Sequence, residues 1–223
     1  MPKPLVEIGG EPLIDRLIRV FMANDAEEII VICNDRTAQV SRHLVRLQQD
    51  GLKGRPVPLR FVVKSTPSSM HSFFEISTHL AGSPFCLTTV DTVFREEEFR
   101  DYADAFAKAA AAGDTDGLMG VTDYIDDESP LYVDTDENLG IRGFLDKSDS
   151  CRYISGGIYG LTPKAIETLN GCMARGESRM RNFQRALIAD GMRLKAYPFS
   201  KVLDIDHSGD ISKAEDFISR VKP

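Results

Sequence analysis

The sequence predicts an α/β fold in which helices cover both faces of a largely parallel sheet. Three short apolar runs, at 28–33, 59–63 and 84–90, are typical of strands that are buried on both faces. Each run is followed by a longer stretch whose apolar residues repeat at helical spacing. This alternation of strand and helix is the pattern of a parallel sheet with its crossover helices.

The first helix is the clearest element, because Leu13, Leu17 and Phe21 share one face and charged side chains occupy the other. Pro12 suits the first turn of a helix, where no backbone donor is needed. The elements predicted for the first half of the chain are, in order, a helix at 13–21, a strand at 28–33, a helix at 37–49 closed by Gly51, a strand at 59–63, a helix at 70–80, a strand at 84–90 and a helix at 96–112.

The pattern changes in the second half, where short strands separated by acidic turns predict antiparallel additions to the sheet. The predicted elements are, in order, strands at 118–121, 131–133, 141–145 and 153–161, helices at 163–170 and 180–190, strands at 194–198 and 201–205, and a closing helix at 211–221. Because no long linker, repeat or low-complexity tract divides them, we interpret residues 1–223 as one domain.

Composition narrows the classes of function. The net charge of −7 argues against a nucleic-acid-binding or anionic-membrane-binding protein, although a few lysines can still hold a small anionic substrate. The four cysteines lie far apart without C-x-x-C spacing, which favours reduced thiols over a zinc site or a disulfide framework. We find no apolar run near the ~20 residues of a membrane span and no signal-peptide pattern at the start. We therefore expect a cytoplasmic protein.

The first fourteen residues read MPKPLVEIGGEPLI, with a lysine–proline pair followed by the start of the first helix. This opening resembles the second half of the signature of the sugar-phosphate nucleotidyltransferases. The resemblance implies a doubly wound, Rossmann-like mixed sheet of the nucleotide-diphospho-sugar transferase type. In that family a strand and a glycine-rich loop precede the lysine–proline pair. We therefore expect that this chain starts late, at an internal methionine of a longer gene product, and that its sheet lacks the first strand.

Asp91 follows the apolar run at 84–90, and open α/β sheets bind ligands at the carboxyl ends of their strands. A carboxylate at that position suits Mg²⁺, which prefers hard oxygen ligands beside phosphates. The structural alternative is a helix-capping role for Asp91 near 96–98. The resemblance to the family implies that Asp91 is a catalytic, metal-binding residue.

A second metal-binding carboxylate is implied by the segment KVLDIDHSGDI at 201–211, which resembles a late element of the same family. Asp204 matches the metal-binding position, and Asp206 is the alternative that the sequence leaves open. Asp210 reads as the start of the closing helix, where a carboxylate accepts backbone hydrogen bonds. His207 and Ser208 depart from the threonine and proline of the family pattern.

Two lysines receive roles from the same resemblance. Lys3, in the opening lysine–proline pair, is expected to neutralise phosphate charge during the transfer. Lys147 follows Asp146 in an element that resembles the family's E-K-P, and it is expected to contact the sugar phosphate. Asp146 and Ser148 replace the glutamate and proline of that element.

Two further segments are expected to contact substrates. Gly156 and Gly157 match a strand that borders the sugar in the family, and glycines allow close backbone approach, although a strand bulge is the structural alternative. Ser68 and Ser69 occupy the place of the nucleotide-base loop, between a strand and a helix whose amino end can bind phosphate. We interpret the nearby His71 as a polar residue at the start of that helix rather than a catalytic base.

The resemblance implies Mg²⁺-dependent transfer of a nucleoside monophosphate from a nucleoside triphosphate to a sugar-1-phosphate, with release of pyrophosphate. We label the chain mannose-1-phosphate guanylyltransferase-like, although its loops identify neither base nor sugar. One alternative is a non-catalytic regulatory or partner subunit that binds a sugar nucleotide. Others are a cytidylyltransferase for a choline- or alditol-type phosphate and a glycosyltransferase of similar fold. The oligomeric state is open, and a homo-oligomer is one option.

Overall fold

The computed structural model describes residues 1–126 and 128–219, which form an α/β structure around a mixed sheet. The strands are β1 (Glu7–Ile8), β2 (Glu11–Pro12), β3 (Ile29–Cys33), β4 (Leu59–Val63), β5 (Phe85–Thr88), β6 (Thr92–Val93), β7 (Gly117–Thr122), β8 (Tyr132–Thr135), β9 (Ile141–Leu145), β10 (Tyr153–Leu161), β11 (Leu194–Phe199) and β12 (Leu203–Asp204). The α-helices are α1 (Leu13–Ala23), α2 (Ala38–Asp50), α3 (Ser69–Ile76), α4 (Glu96–Ala112), α5 (Ala165–Ala174), α6 (Met180–Ala189) and α7 (Ser208–Ser219). Within these ranges no helix is both long and apolar enough to cross a membrane.

The largest sheet has the strand order β11-β7-β10-β8-β9, and β5 pairs with β10 beside β8. Strands β5 and β7 are both antiparallel to β10, and β11 is parallel to β7, so β5, β7 and β11 all point the same way. Strands β8 and β9 are antiparallel, as predicted for the second half of the chain. The sheet is therefore mixed, as the family resemblance implies and not largely parallel as the periodicity alone predicts, because the long strand β10 runs against its neighbours.

A second, separate pair is formed by β3 and β4, which are parallel and in register from Ile29 opposite Leu59 to Cys33 opposite Val63. The prediction of two parallel strands joined by a helix is thus confirmed for this unit. Among the described residues no ladder joins this pair to the larger sheet. The strands are therefore divided between β3 and β5, and the expectation that the sheet lacks its first strand stays a prediction.

Helices cover both sides of these strands. On one side, Ile30 and Ile32 of β3 and Leu87 of β5 pack on the same apolar cluster as Phe73 of α3. On the other side, the alternate residues of β3 pack with α1 and α2, and Cys86 of β5 packs in the cluster that includes α4. Alternate side chains of a strand point to opposite faces, so both strands lie in a layer between helices.

The two ends of the chain share a further apolar cluster, which we call the terminal cluster. Ile8 and Leu13 from the start of the chain pack there against Val93 and against a set from the end of the chain: Leu203, Ile205, Ala214 and Phe217. Strand β12 also pairs antiparallel with β6, with Asp204 opposite Thr92. The carboxyl-terminal segment is thereby held beside the turn that follows β5.

Most predicted elements match the structure within a few residues, and the differences have local causes. Helix α2 ends at Gly51, whose φ of +75° and close approach to the Arg55 carbonyl exclude a side chain, as the sequence indicated. Strand β5 ends at Thr88, so Asp91 lies in a turn beyond the strand rather than directly at its end. Helix α7 begins at Ser208 instead of residue 211, and its predicted end at residue 221 lies outside the described ranges.

Candidate active site

The side chain of Lys3 joins two carboxylates from distant parts of the chain. Its ammonium donates hydrogen bonds to Asp91 Oδ2 at 2.8 Å and to Asp206 Oδ1 at 2.9 Å. Partial burial alone lowers the pKa of Lys3, but the two hydrogen bonds and the negative charges outweigh it and raise the pKa to about 12. Lys3 is therefore a fixed positive charge at neutral pH.

Asp91 and Asp204 are brought together by the backbone. Asp91 lies in the turn between β5 and β6, and its carbonyl accepts a hydrogen bond from the Ile205 amide at 3.1 Å. Across the β6–β12 pair, the hydroxyl of Thr92 donates to Asp204 Oδ1 at 3.3 Å. Thr92 is only 2% exposed, so this contact is made from a rigid, buried position.

Asp91 and Asp204 both border a cleft of about 620 Å³, which we call the central cleft. It lies between β3 and β5 and between helices α1 and α3, and its volume falls within the usual range for small-molecule sites. Gly157 and Tyr159 of β10 also line it. Burial raises the pKa of the Tyr159 phenol to about 12, so that side chain is neutral at physiological pH.

A second cleft of similar volume, the edge cleft, opens beside Lys3 at the carboxyl end of β3. Ser68 and Ser69 line this cleft, and Ser69 also lines the central cleft. Ser68 is the N-cap of α3, where its hydroxyl accepts a hydrogen bond from the His71 amide at 3.4 Å and contacts the His71 ring at 2.9 Å. Lys3 and the amino end of α3 thus face the same cleft, and both favour an anionic group there.

The glycine pair of β10 forms an irregularity in the strand. The register with β7 shifts between Ser155 and Ile158, and Gly157 has a φ of +70°, which favours glycine. A Cβ on Gly157 would meet only Thr92 Oγ1, at 3.7 Å, while one on Gly156 would crowd the Gly120 carbonyl at 3.1 Å. The bulge weighed from the sequence is present, and it also leaves Gly157 open to the central cleft.

Lys147 is the predicted site residue that the structure does not bring to the others. It is exposed beyond the end of β9 and lines neither cleft. Its neighbour Asp146 forms ion pairs with Arg181 and Arg185 at 2.6 and 2.7 Å. The assignment of Lys147 to the sugar phosphate therefore stays a prediction without geometric support.

Other residues line the central cleft that the sequence reading did not select. Arg179, the N-cap of α6, and Arg181 lie on its rim, and Gln184 accepts a hydrogen bond from Ser155 Oγ at 3.0 Å inside it. Gln184 is 2% exposed despite its polar side chain, and a buried amide in a helix is the signal that would have drawn attention to it. The arginines offered no such signal, because charged residues at the start of a helix are ordinary.

The donor atoms in this region suit Mg²⁺. Asp91 and Asp204 supply carboxylate oxygens, and the Thr92 hydroxyl lies beside Asp204. The ammonium of Lys3, bound by Asp91 and Asp206, shows that these carboxylates stabilise a positive charge. No cluster of three or more metal-binding side chains occurs within 1–126 and 128–219. Mg²⁺ is commonly held by one or two carboxylates together with substrate phosphates, and Asp91 and Asp204 could supply two such carboxylates.

Comparison with known proteins identifies the family. The sequence profile described as Nucleotidyl transferase matches residues 1–220. The chain belongs to the nucleotidyl transferase family. A search of curated proteins finds no match.

Solved structures of nucleotidyltransferases have a similar fold. The inositol-1-phosphate CTP transferase from T. maritima has a TM-score of 0.74 at 19% identity, over 99% of this chain and 90% of that chain. A putative glucose-1-phosphate thymidylyltransferase from Bacillus anthracis has a TM-score of 0.80 at 16% identity, over 99% and 87%. The CTP:phosphocholine cytidylyltransferase from Streptococcus pneumoniae has a TM-score of 0.73 at 16% identity, over 98% and 90%. The nucleotidyltransferase is thus similar to enzymes that act on different acceptors.

Proposed function

We propose that residues 1–223 form one nucleotidyltransferase domain that transfers a nucleoside monophosphate from a nucleoside triphosphate to a sugar-1-phosphate, using Mg²⁺. The observation that carries this proposal is the double contact of Lys3 with Asp91 and Asp206. It joins the opening lysine–proline motif to both acidic elements of the chain, which are 88 and 203 positions away from Lys3. The fold that supports this site is a doubly wound, Rossmann-like mixed sheet.

In the proposed reaction a phosphate oxygen of the acceptor attacks the α-phosphorus of the triphosphate. A new phosphorus–oxygen bond forms, the bond to the β-phosphate oxygen breaks, and pyrophosphate leaves with the electron pair. Positioning and charge neutralisation supply most of the catalysis in such transfers. Asp91 and Asp204 would hold Mg²⁺, which would supply positive charge to offset the negative charge of the phosphates.

Residues of the two clefts have separate roles in binding the substrates and in neutralising their charge. Lys3 offsets negative charge on the transferred phosphate, since its ammonium is permanently charged and held in place by two carboxylates. Ser68, Ser69 and the amino end of α3 bind the base or a phosphate of the nucleotide at the edge cleft. Gly157 lets the acceptor approach the backbone of β10 in the central cleft, and Gly156 forms the adjoining part of the bulge.

The second candidate is a cytidylyltransferase for a phosphorylated alcohol. It is favoured by the exposed position of Lys147, which removes the expected sugar-phosphate contact from the cleft. It is also supported by the similarity to a CTP transferase for inositol-1-phosphate and to a cytidylyltransferase for phosphocholine. The transfer step at phosphorus is the same, and only the acceptor differs.

Pyrophosphate release separates these candidates. Each of the four nucleoside triphosphates is paired with glucose-1-phosphate, mannose-1-phosphate, inositol-1-phosphate and phosphocholine, with and without Mg²⁺. The leading proposal predicts release with a hexose-1-phosphate, and the mannose-1-phosphate and GTP pair tests the guanylyltransferase label. Asp91→Asn is the inactive reference, and Asp101→Asn, on the exposed face of α4, is its matched control.

Other outcomes would redirect the assignment. Nucleotide-sugar binding in a thermal-shift assay without pyrophosphate release in any pair would favour a regulatory or partner subunit. Release of a nucleoside diphosphate from a nucleotide sugar would favour a glycosyltransferase. In either case the proposed transfer to a sugar-1-phosphate would be wrong.

A further inference from the structure

Three polar side chains form a connected group inside the central cleft. Ser155 and Tyr159 of β10 and Gln184 of α6 line the cleft together, and we call them the polar trio. The hydroxyl of Ser155 donates a hydrogen bond to Gln184 Oε1 at 3.0 Å, which joins the strand to the helix. The pKa of Tyr159, raised to about 12 mainly by burial, is lowered by Ser155 and raised further by the charge of Asp204. The phenol therefore lies near both of these side chains, and the polar trio adjoins the proposed metal site.

Each member of the polar trio is held in place by the fold. The amide of Ser155 donates to the Leu131 carbonyl at 2.8 Å, just before the bulge of β10. Gln184 follows Phe183, which is fully buried, and Gln184 itself is 2% exposed. Tyr159 is also buried. Side chains on packed strands and helices keep a defined orientation before a ligand binds, and selective recognition depends on that.

The amide of Gln184 has hydrogen-bonding capacity that the described protein does not use. A side-chain amide offers a carbonyl acceptor and two N–H donors. The hydroxyl of Ser155 occupies the carbonyl, and no residue within 1–126 and 128–219 accepts a hydrogen bond from Nε2. Buried polar groups are normally hydrogen-bonded, because an unpaired group loses its hydration without compensation. The free donors of Gln184 therefore indicate a ligand that places an oxygen atom in the cleft.

The charges of the cleft do not suit a cationic acceptor. Among the described residues, the carboxylates that line the central cleft are Asp91 and Asp204, and the proposed reaction assigns both to Mg²⁺. A quaternary ammonium such as that of choline neither donates nor accepts a hydrogen bond, so it would leave the Gln184 amide unpaired. A hydroxyl does both, and neighbouring hydroxyls of one acceptor can bond to Gln184 and to the phenol of Tyr159.

We infer that the polar trio selects a polyhydroxylated acceptor, which is a sugar phosphate or a cyclitol phosphate, and rejects phosphocholine. One hydroxyl of the acceptor accepts a hydrogen bond from Gln184 Nε2, and a neighbouring hydroxyl bonds to the phenol of Tyr159. Ser155 orients the amide by holding its oxygen. The inference rests on the proposed transfer reaction and narrows its class of acceptor. Gln184 is a specificity-determining residue, since it contacts the hydroxyls while the phosphate is bound beside Asp91.

Pyrophosphate release with deoxy acceptors tests the role of Gln184. Glucose-1-phosphate, mannose-1-phosphate and inositol-1-phosphate are compared first, and an acceptor that is turned over is then replaced by its monodeoxy analogues. For wild type, one analogue should lower kcat/KM at least ~10-fold, because the amide then stays unpaired. Gln184→Met should lose a similar factor with the parent acceptor, mainly through the KM of the acceptor, and should lose no more with that analogue. Gln49→Met, at an exposed position of α2 that lines neither cleft, should behave as wild type.

Calorimetry distinguishes failure of this inference from failure of the proposed reaction. With Mg²⁺ and non-hydrolysable analogues of the four nucleoside triphosphates, at least one of the three polyol phosphates should bind at least ~10-fold more tightly than phosphocholine. Gln184→Met should remove that preference, and Ser155→Ala should weaken it. This result would assign the recognition even without pyrophosphate release, in which case only the reaction would be wrong.

Several results would overturn the inference and leave the reaction standing. They are full turnover of every monodeoxy analogue, phosphocholine as the preferred acceptor, and wild-type selectivity in Gln184→Met. Binding of none of the three polyol phosphates, or equal binding of all of them and phosphocholine, would also overturn it. If Gln184→Met does not fold, the wild-type comparison of each acceptor with its monodeoxy analogues and the Ser155→Ala variant remain decisive.

Discussion

The ammonium of Lys3 lies 2.8 Å from the carboxylate of Asp91, although 88 positions separate the two residues in the chain. This contact and the one to Asp206 hold the lysine side chain beside the edge cleft. The arrangement leads to specific expectations for activity, for the choice of metal-binding carboxylate and for stability.

Removing the charge of Lys3 should reduce transfer strongly. Lys3→Met is expected to lower kcat/KM for the nucleoside triphosphate by about 10²–10³-fold, the range seen when one preorganised charge-stabilising group is lost. Lys108→Met removes an exposed lysine of α4 and is the matched control, which should retain full activity. Pyrophosphate release measures both. Activity of Lys3→Met within a few-fold of wild type would contradict the role assigned to Lys3.

The two late carboxylates should differ in their effect on Mg²⁺. Asp204 lines the central cleft and accepts a hydrogen bond from the buried Thr92, whereas the side chain of Asp206 is 64% exposed and contacts Lys3. Asp204→Asn should therefore raise the Mg²⁺ concentration needed for half-maximal activity at least ~10-fold, and Asp206→Asn should raise it less. Mg²⁺-dependent stabilisation of the nucleotide complex gives a second readout. A larger effect of Asp206→Asn on both readouts would transfer the metal-binding role to Asp206.

The free energy of unfolding should decrease at alkaline pH because the phenol of Tyr159 is buried. Burial raises its folded-state pKa to about 12, while in the unfolded chain a tyrosine ionises near ~10. The contribution of the protonated Tyr159 phenol to the free energy of unfolding is therefore complete below pH ~10, and it is lost as the pH rises towards 12. Between pH 8 and 11 this difference amounts to about 1.4 kcal/mol of unfolding free energy.

Tyr159→Phe should remove that part of the pH dependence. Urea unfolding at pH 8, 10 and 11 should show a smaller decrease in the free energy of unfolding for the variant than for wild type. Tyr102 shifts in the same direction through burial, so some pH dependence should remain. Parallel curves for wild type and Tyr159→Phe would show that the phenol does not contribute.

Packing around Gly160 should make that position intolerant of a methyl group. A Cβ there would lie 2.7 Å from the hydroxyl of Tyr102 and 2.8 Å from the ring of Phe106, both of which are buried. Gly160→Ala should cost about 1–3 kcal/mol, the usual range for overpacking. Gly143→Ala in β9 is the control, because nothing lies within 4 Å of its Cβ position. Equal unfolding free energies for the two variants would refute the packing argument.

Local patterns predicted most helices and strands well. Strand β4 and helix α4 have the predicted bounds because their apolar runs and a terminal glycine are local signals. Local patterns did not indicate that the separation would fall between β3 and β5, since strand order depends on contacts between segments that are distant in the chain. The mixed character of the large sheet likewise depends on the direction of β10, which periodicity does not encode.

The candidate site was predicted unevenly, for a similar reason. Lys3, Asp91 and Asp204 lie in recognisable motifs, and the structure places them around connected clefts. Lys147 lies in a weak motif and is exposed. Arg179 and Gln184 reach the central cleft only because α6 packs against β10 and its neighbours. A short sequence motif does not indicate packing of that kind.

The terminal cluster has a consequence for the order of events during synthesis. Ile8 and Leu13 leave the ribosome well before their apolar partners Leu203, Ile205 and Phe217 are added. The same delay applies to Lys3, whose contact with Asp206 requires a residue 203 positions further along the chain. A nascent chain of this nucleotidyltransferase therefore carries an incomplete set of charges at its site until the segment that includes β12 and α7 has emerged.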